Sequence, residues 1–121
     1  MVLDWDRIER LLSPHHNVYL MYAPKVIRIK IGRTRGCVFA RRARLRTQLQ
    51  TPLFVMAQLR ARPSLETYLH QVFAPLHLEG EWFEDHEDLH ALARKLNALD
   101  TERFGPRSPH PDAVELKPWS S

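Results

Sequence analysis

Val26-Ile27-Arg28-Ile29-Lys30-Ile31-Gly32 alternates apolar and basic side chains. That is the period of a half-buried β-strand rather than of a helix. Working back from it, Pro24 and Lys25 make a turn signal. The apolar run Val18 to Ala23 before them reads as a partner strand, so the pair is an antiparallel hairpin. A hairpin that turns about Pro24 and Lys25 sets Tyr19 opposite Lys30, with both side chains on one face.

Outward from the hairpin, Asp4 to Leu12 reads as a short helix capped by Asp4, and Ser13 to Asn17 break it. Gly32 to Gly36 is a loop. Val38 to Gln50 follows as an Arg-rich helix, and Leu53 to Ala61 is a short segment that Val55 favours as a strand. Ser64 caps a helix over 65–73, with Leu65, Leu69, Val72 and Phe73 inward and Glu66 and His70 four apart on another face. Pro75 to Phe83 reads as loop or extended chain. A last helix runs from about Asp85 to Phe104 on the stripe Leu89, Leu92, Ala93, Leu96 and Leu99. The order predicts an α+β fold: a small three-stranded antiparallel sheet flanked by helices. One domain is expected over residues 1–104. The Pro-rich segment 105–121 is expected to be a disordered or loosely docked tail.

Charge is sharply segregated. From Arg10 through Leu65 there is no acidic residue, yet twelve of the eighteen Lys and Arg lie there. Such a field attracts a polyanion, and nucleic acid is the commonest one. The side chains expected to meet DNA are Arg28, Arg33, Arg41, Arg42 and Arg46. No apolar run approaches the roughly 20 residues of a membrane span. Asp4 and Asp6 argue against a secretory signal, and the lone Cys37 fits a reducing cytoplasm.

Three constellations could carry chemistry. With Lys30 opposite and Arg28 near, the Tyr19 phenol would have its pKa lowered and could take a proton from water. Taken alone, the plainer reading of Tyr19 is a packed strand residue with a wet hydroxyl. Arg41, Arg42, Arg44 and Arg46 have no acid within their helix, so at least one is expected to clamp a phosphate. Glu66, the first acid after the basic stretch, could hold Mg2+, which keeps several waters and needs few protein ligands. His70 could donate to a phosphate or move a proton. The isolated pair is otherwise an ordinary Glu–His helix pair. His86-Glu87-Asp88-Leu89-His90 matches the His-Glu-x-x-His pattern of zinc peptidases. No third ligand stands at a telling spacing, and the segment looks like an acidic first helical turn.

Val18-Tyr19-Leu20, Lys30-Ile31-Gly32, the helix with Arg44-Leu45, Glu66-Thr67-Tyr68-Leu69-His70 and Gly80-Glu81-Trp82-Phe83 follow one another in this order. Together, over about residues 17–83, they resemble the GIY-YIG nuclease superfamily, and within it the branch typified by a phage T5 DNA-binding domain. The resemblance implies a metal-dependent DNA endonuclease with Mg2+ or Mn2+ on Glu66 and Tyr19 as general base. It implies Arg44, or Arg46 by a shifted alignment, as the helix Arg, with Lys30 where the wider superfamily has a second Tyr. His70 and Glu81 match positions typical of the branch. Gln48 replaces a His that some relatives carry, and Gly80-Glu81-Trp82-Phe83 stands where an Asn often closes the site. A DNA-binding regulatory module with weak or lost catalysis is the alternative these departures leave open. A homodimer would suit cleavage of both strands.

Overall fold

The computed structural model describes residues 2–108, 110, 118 and 119. Its chain order is α1 (Trp5–Arg10), β1 (Leu12–Ala23), β2 (Arg28–Thr34), α2 (Val38–Leu49), β3 (Phe54–Ala61), α3 (Ser64–Val72), a 3-10 turn (Ala74–Leu76), β4 (His77–Glu79), β5 (Trp82–Glu84) and α4 (Glu87–Phe104). The fold is α+β. The sheet has five strands in the order β3-β1-β2-β5-β4, all neighbours antiparallel. The expectation of three strands is corrected by β4 and β5. Each is only three residues long, too short to show alternation, so the sequence reads there as loop or extended chain.

β1 begins earlier than the sequence indicated. Ser13 to Asn17 continue the strand through a register irregularity between Leu12 and Asn17. Pro14 falls inside that irregularity, where its missing N–H costs no ladder hydrogen bond. The hairpin loop is Pro24 to Ile27, since Ala23 pairs with Arg28. Ile27 takes a positive φ of 54° there and is exposed, although the alternation placed it in the strand. Tyr19 therefore pairs with Gly32, and Lys30 pairs with Met21. The register differs from the expected one by two residues. A shift of two preserves the face, so Tyr19 and Lys30 still share it.

Both faces of the hairpin are covered, which explains the unbroken burial of Val18 to Ala23. Val18, Leu20, Tyr22, Ile29 and Ile31 face the larger core, built with Ile8 of α1, Leu65 and Leu69 of α3 and the α4 leucine stripe. Tyr19, Met21 and Ala23 face a smaller core under α2, with Val38, Leu45 and Leu53. Asp4 caps α1 as expected, accepting from the Arg7 amide. Ser64 is instead the first residue of α3 and makes no capping bond, and His86 rather than Asp85 caps α4.

β3 is an edge strand whose outward groups are taken by α4. Asn97 accepts from the Gln58 amide at 3.1 Å and donates to the Met56 carbonyl at 2.9 Å, and Asp100 accepts from the Arg60 amide at 2.9 Å. Asp100, only 3% exposed, also accepts from the Arg60 guanidinium and twice from Arg107, for five hydrogen bonds in all. Arg107 reaches on to Asn17 of β1 at 2.7 Å. The expected tail over 105–121 lies largely outside the described residues.

Candidate active site at the end of β2

β5 pairs with β2 only over Arg28 to Lys30. Beyond that point α3 approaches the free edge of β2, and side chains from four elements meet there. His70 donates from Nε2 to the Ile31 carbonyl at 3.0 Å, closing the ladder where β5 has ended. Its ring edge also packs on Phe83 at 4.9 Å between centroids. His70 thus fixes α3 against the strand and so sets the position of Glu66 one turn earlier.

Glu66 is largely buried. Its Oε2 lies 3.4 Å from Arg33 Nε, and its Oε1 lies 3.5 Å from His70 Nε2. Neither contact is a good hydrogen bond, and Oε2 is buried without one. Burial, followed by the nearby Glu81 carboxylate, pushes the Glu66 pKa up to about 7, against the opposing charges of Arg33 and Lys30.

Glu81 arrives on a two-residue loop between β4 and β5, whose first residue, Gly80, has a φ of +53°. A tight hairpin needs that left-handed conformation, which glycine adopts without a Cβ penalty. The Glu81 carbonyl accepts from the Ile31 amide at 3.0 Å, which ties the loop to β2. Its carboxylate takes the Lys30 ammonium. Lys30 is 7% exposed and lies 5.7 Å from the Trp82 ring centroid, so it is held between an acid and an aromatic face. Burial is the largest single influence and works against ionisation of Glu81, but the hydrogen bond and charge of Lys30, with Glu66 and His70, together outweigh it and hold the pKa below the ordinary carboxylate value.

Tyr19 is fully buried, and the phenolic end of its ring fills the space above Gly32. A Cβ on Gly32 would sit 2.5 Å from the phenolic oxygen, so glycine is required in the Lys30-Ile31-Gly32 motif. Among the described residues the buried hydroxyl makes no well-formed hydrogen bond, and the Arg41 guanidinium is the donor that comes closest to it. Burial raises the phenol pKa above 10. Arg41 opposes the rise, and the Glu81 and Glu66 charges add to it. The sequence-based expectation of a lowered Tyr19 pKa is therefore reversed: burial dominates, and the Lys30 charge is spent on Glu81.

The guanidinium beside the hydroxyl is Arg41, one of the cluster of four. Arg44 is exposed on the same helix, and among the described residues neither Arg41, Arg44 nor Arg46 has a carboxylate partner. Arg42 is 2% exposed and lies 5.4 Å from the Phe39 ring centroid, a packing position. Arg28 pairs with Glu79 at 3.0 Å. Beside Arg33 a cleft of about 350 Å³ opens, lined by His16, Thr34, Arg35 and Pro63. A larger cleft of about 690 Å³ lies across the molecule between Phe39, β3 and Asn97, away from these groups.

The structure thus brings Tyr19, Lys30, Glu66 and His70 together and adds Arg41 and Glu81. Residues 16–97 of the chain match the T5orf172 domain. The chain belongs to the T5orf172 domain family. The matched segment starts in β1 and ends within α4, so the T5orf172 domain contains every member of the cluster. No curated protein and no solved structure matches the chain. The His-Glu-x-x-His segment falls inside the match but does not converge. His86 Nδ1 accepts from the Asp88 amide, and His90 turns to Asp85. Among the described residues no three metal-ligating side chains gather into a metal-binding group, and no helix is long and apolar enough to cross a membrane.

Proposed function

We propose that this T5orf172 domain is a GIY-YIG-type DNA endonuclease that hydrolyses phosphodiester bonds with one divalent ion, Mg2+ or Mn2+. A nucleic-acid-related role accords with the family and with the acid-free stretch from Arg10 to Leu65. The observation that carries the catalytic reading is a buried phenol without a hydrogen-bond partner beside an underbonded carboxylate and a guanidinium. Burying such groups unpaired costs about 1–3 kcal/mol each. A fold tolerates that where a ligand completes them.

The residues fit a hydrated divalent ion. Glu66 presents an oxygen with no hydrogen bond, and hard cations of this size take carboxylates and waters. When bound, the ion offsets negative charge on the leaving oxygen. As the phenolate, which Arg41 beside it favours and burial opposes, Tyr19 accepts the proton of the attacking water. Arg41 holds a non-bridging phosphate oxygen, the role the resemblance gives to Arg44, while the exposed Arg44 further along α2 contacts the DNA backbone. Lys30 assists at the same phosphate. His70 acts by positioning, because its Nε2 proton is engaged by the Ile31 carbonyl. The basic strip on α2 and the Arg33–Arg35 cleft track the DNA backbone.

A second reading, a DNA-binding regulatory module, is favoured by one observation: the Tyr19 pKa is raised, which opposes its use as a base. Supercoiled plasmid incubated with Mg2+ or Mn2+ separates the two. Nicking by the parent that is lost in Glu66→Ala and Tyr19→Phe supports the nuclease. Binding by all three chains without nicking supports the module, and nicking that survives in both variants refutes the site.

A further inference from the structure

Glu81 has no role in the reading above, yet it is the best-anchored acid in the pocket. Its backbone is bonded to Ile31 and its loop is set by Gly80. Glu81 and Glu66 converge on the same residue of β2: the Glu81 carbonyl accepts from the Ile31 amide at 3.0 Å, and Glu66 Oε1 lies 3.5 Å from the His70 Nε2 that donates to the Ile31 carbonyl, so that each carboxylate acts on the other. The fully buried Tyr19 hydroxyl, with no partner of its own, lies close enough to feel both charges. Lys30 is bonded to Glu81, whereas Arg33 approaches Glu66 at 3.4 Å without hydrogen-bond geometry and leaves it incomplete.

Two adjacent carboxylates with an orphaned phenol beside them form a charge-balanced seat for one divalent cation. We propose that Glu81 is a second carboxylate ligand of the ion held by Glu66, and that Lys30 is the stand-in that neutralises Glu81 until the ion binds. On this arrangement the Lys30 ammonium becomes available to a phosphate oxygen only in the metal-loaded protein. The phosphate-holding cation and the metal then arrive as a linked pair. The inference rests on the reading of the pocket as a divalent-ion site and deepens it.

The test is direct binding of Mn2+ to the full chain without DNA, read from the loss of the free-ion electron paramagnetic resonance signal. The parent, Glu66→Gln, Glu81→Gln and Lys30→Met are compared, with circular dichroism to confirm folding. The expected result is one Mn2+ per chain, with affinity weakened about tenfold or more by either Gln substitution, within the range seen when groups supporting a metal are lost. Lys30→Met should bind Mn2+ several-fold more tightly than the parent, because it removes the competing cation. A misfolded variant would not produce that opposite sign. Parent-like binding by Glu81→Gln with weak binding by Glu66→Gln overturns the inference and leaves the single-carboxylate site intact. Unchanged or weaker binding by Lys30→Met overturns the stand-in. A parent that leaves the Mn2+ signal unaltered overturns the whole inference, and plasmid nicking, scored separately, then judges the nuclease reading.

Discussion

Asp100 and Glu66 are both acids shielded from solvent and flanked by arginine, and they differ in almost everything else. Asp100 accepts five hydrogen bonds from Arg60 and Arg107, and despite burial these hold its pKa below the usual value. Glu66 has an Arg33 contact without hydrogen-bond geometry, a neighbouring carboxylate and a pKa raised to about 7. The first acid is a finished joint: it seals β3 against α4 and ties in Arg107. The second is left incomplete by the protein itself. Buried charge in this molecule therefore divides by whether its partners are supplied internally, and the incomplete case marks where a ligand belongs.

The comparison can be broken most sharply at the finished joint. Asp100→Ala strips the partners from the Arg60 amide and from two guanidinium groups, and should cost about 3–5 kcal/mol in urea unfolding. It should leave Mn2+ affinity unchanged in chains that remain folded. Loss of metal binding with retained stability would erase the distinction drawn here.

At the incomplete site the sign reverses. Glu66 is harder to ionise in the folded chain than in the unfolded one, so the unfolded chain gives up that proton first. Stability in the presence of a chelator should fall by about 1–3 kcal/mol as pH rises from 4.5 to about 7. Glu66→Gln should abolish the fall and leave the variant more stable than the parent at pH 8. The Asp100 contribution runs the other way: it is present at neutral pH and is lost as pH drops through the lowered pKa of the folded state. Denaturant melts from pH 7 down to 4.5 would reveal the first slope, and melts continued below pH 3.8, the ordinary aspartate value, the second.

An effect of similar size tests the shape of the pocket rather than its charge. Gly32→Ala drives a methyl group into the Tyr19 phenol and should cost about 1–3 kcal/mol. Gly36→Ala, where a Cβ meets nothing within 4 Å, should be close to neutral. Smallest is the exposed helix strip. Arg44→Gln should lower the slope of log affinity for DNA against log salt by about one, without changing the rate at which bound DNA is cut. Arg41→Gln should slow that rate as well.

The alternation of Ile29 and Ile31 was enough to read the hairpin, and the leucine stripe of α4 was legible for the same reason: each side chain repeats on one face. β4 and β5 escaped because three residues carry no period. The register escaped because it depends on Ile27 adopting a left-handed backbone, which nothing in its β-branched side chain advertises. Tyr19, Lys30, Glu66 and His70 were picked out by their types and by the family resemblance. Arg41 is expected among the DNA-contacting residues, but its place beside Tyr19 depends on how α2 is rotated over the sheet, which a uniformly basic helix does not encode. The Lys30–Glu81 pair spans 51 residues, and neither position hints at the other. The Asp100 joint left no signal beyond a polar residue at the edge of an apolar stripe.

The way Asn97 and Asp100 plug the outer rim of β3 bears on self-assembly. Unpaired strand rims recruit copies of themselves and grow into fibrils. Here the eight-residue rim is occupied by helix side chains, and the opposite rim is the three-residue β4 with exposed His77 and Glu79. Loss of Asn97 or Asp100 would uncover a long, flat template, so such variants should precipitate on storage at concentrations the parent tolerates.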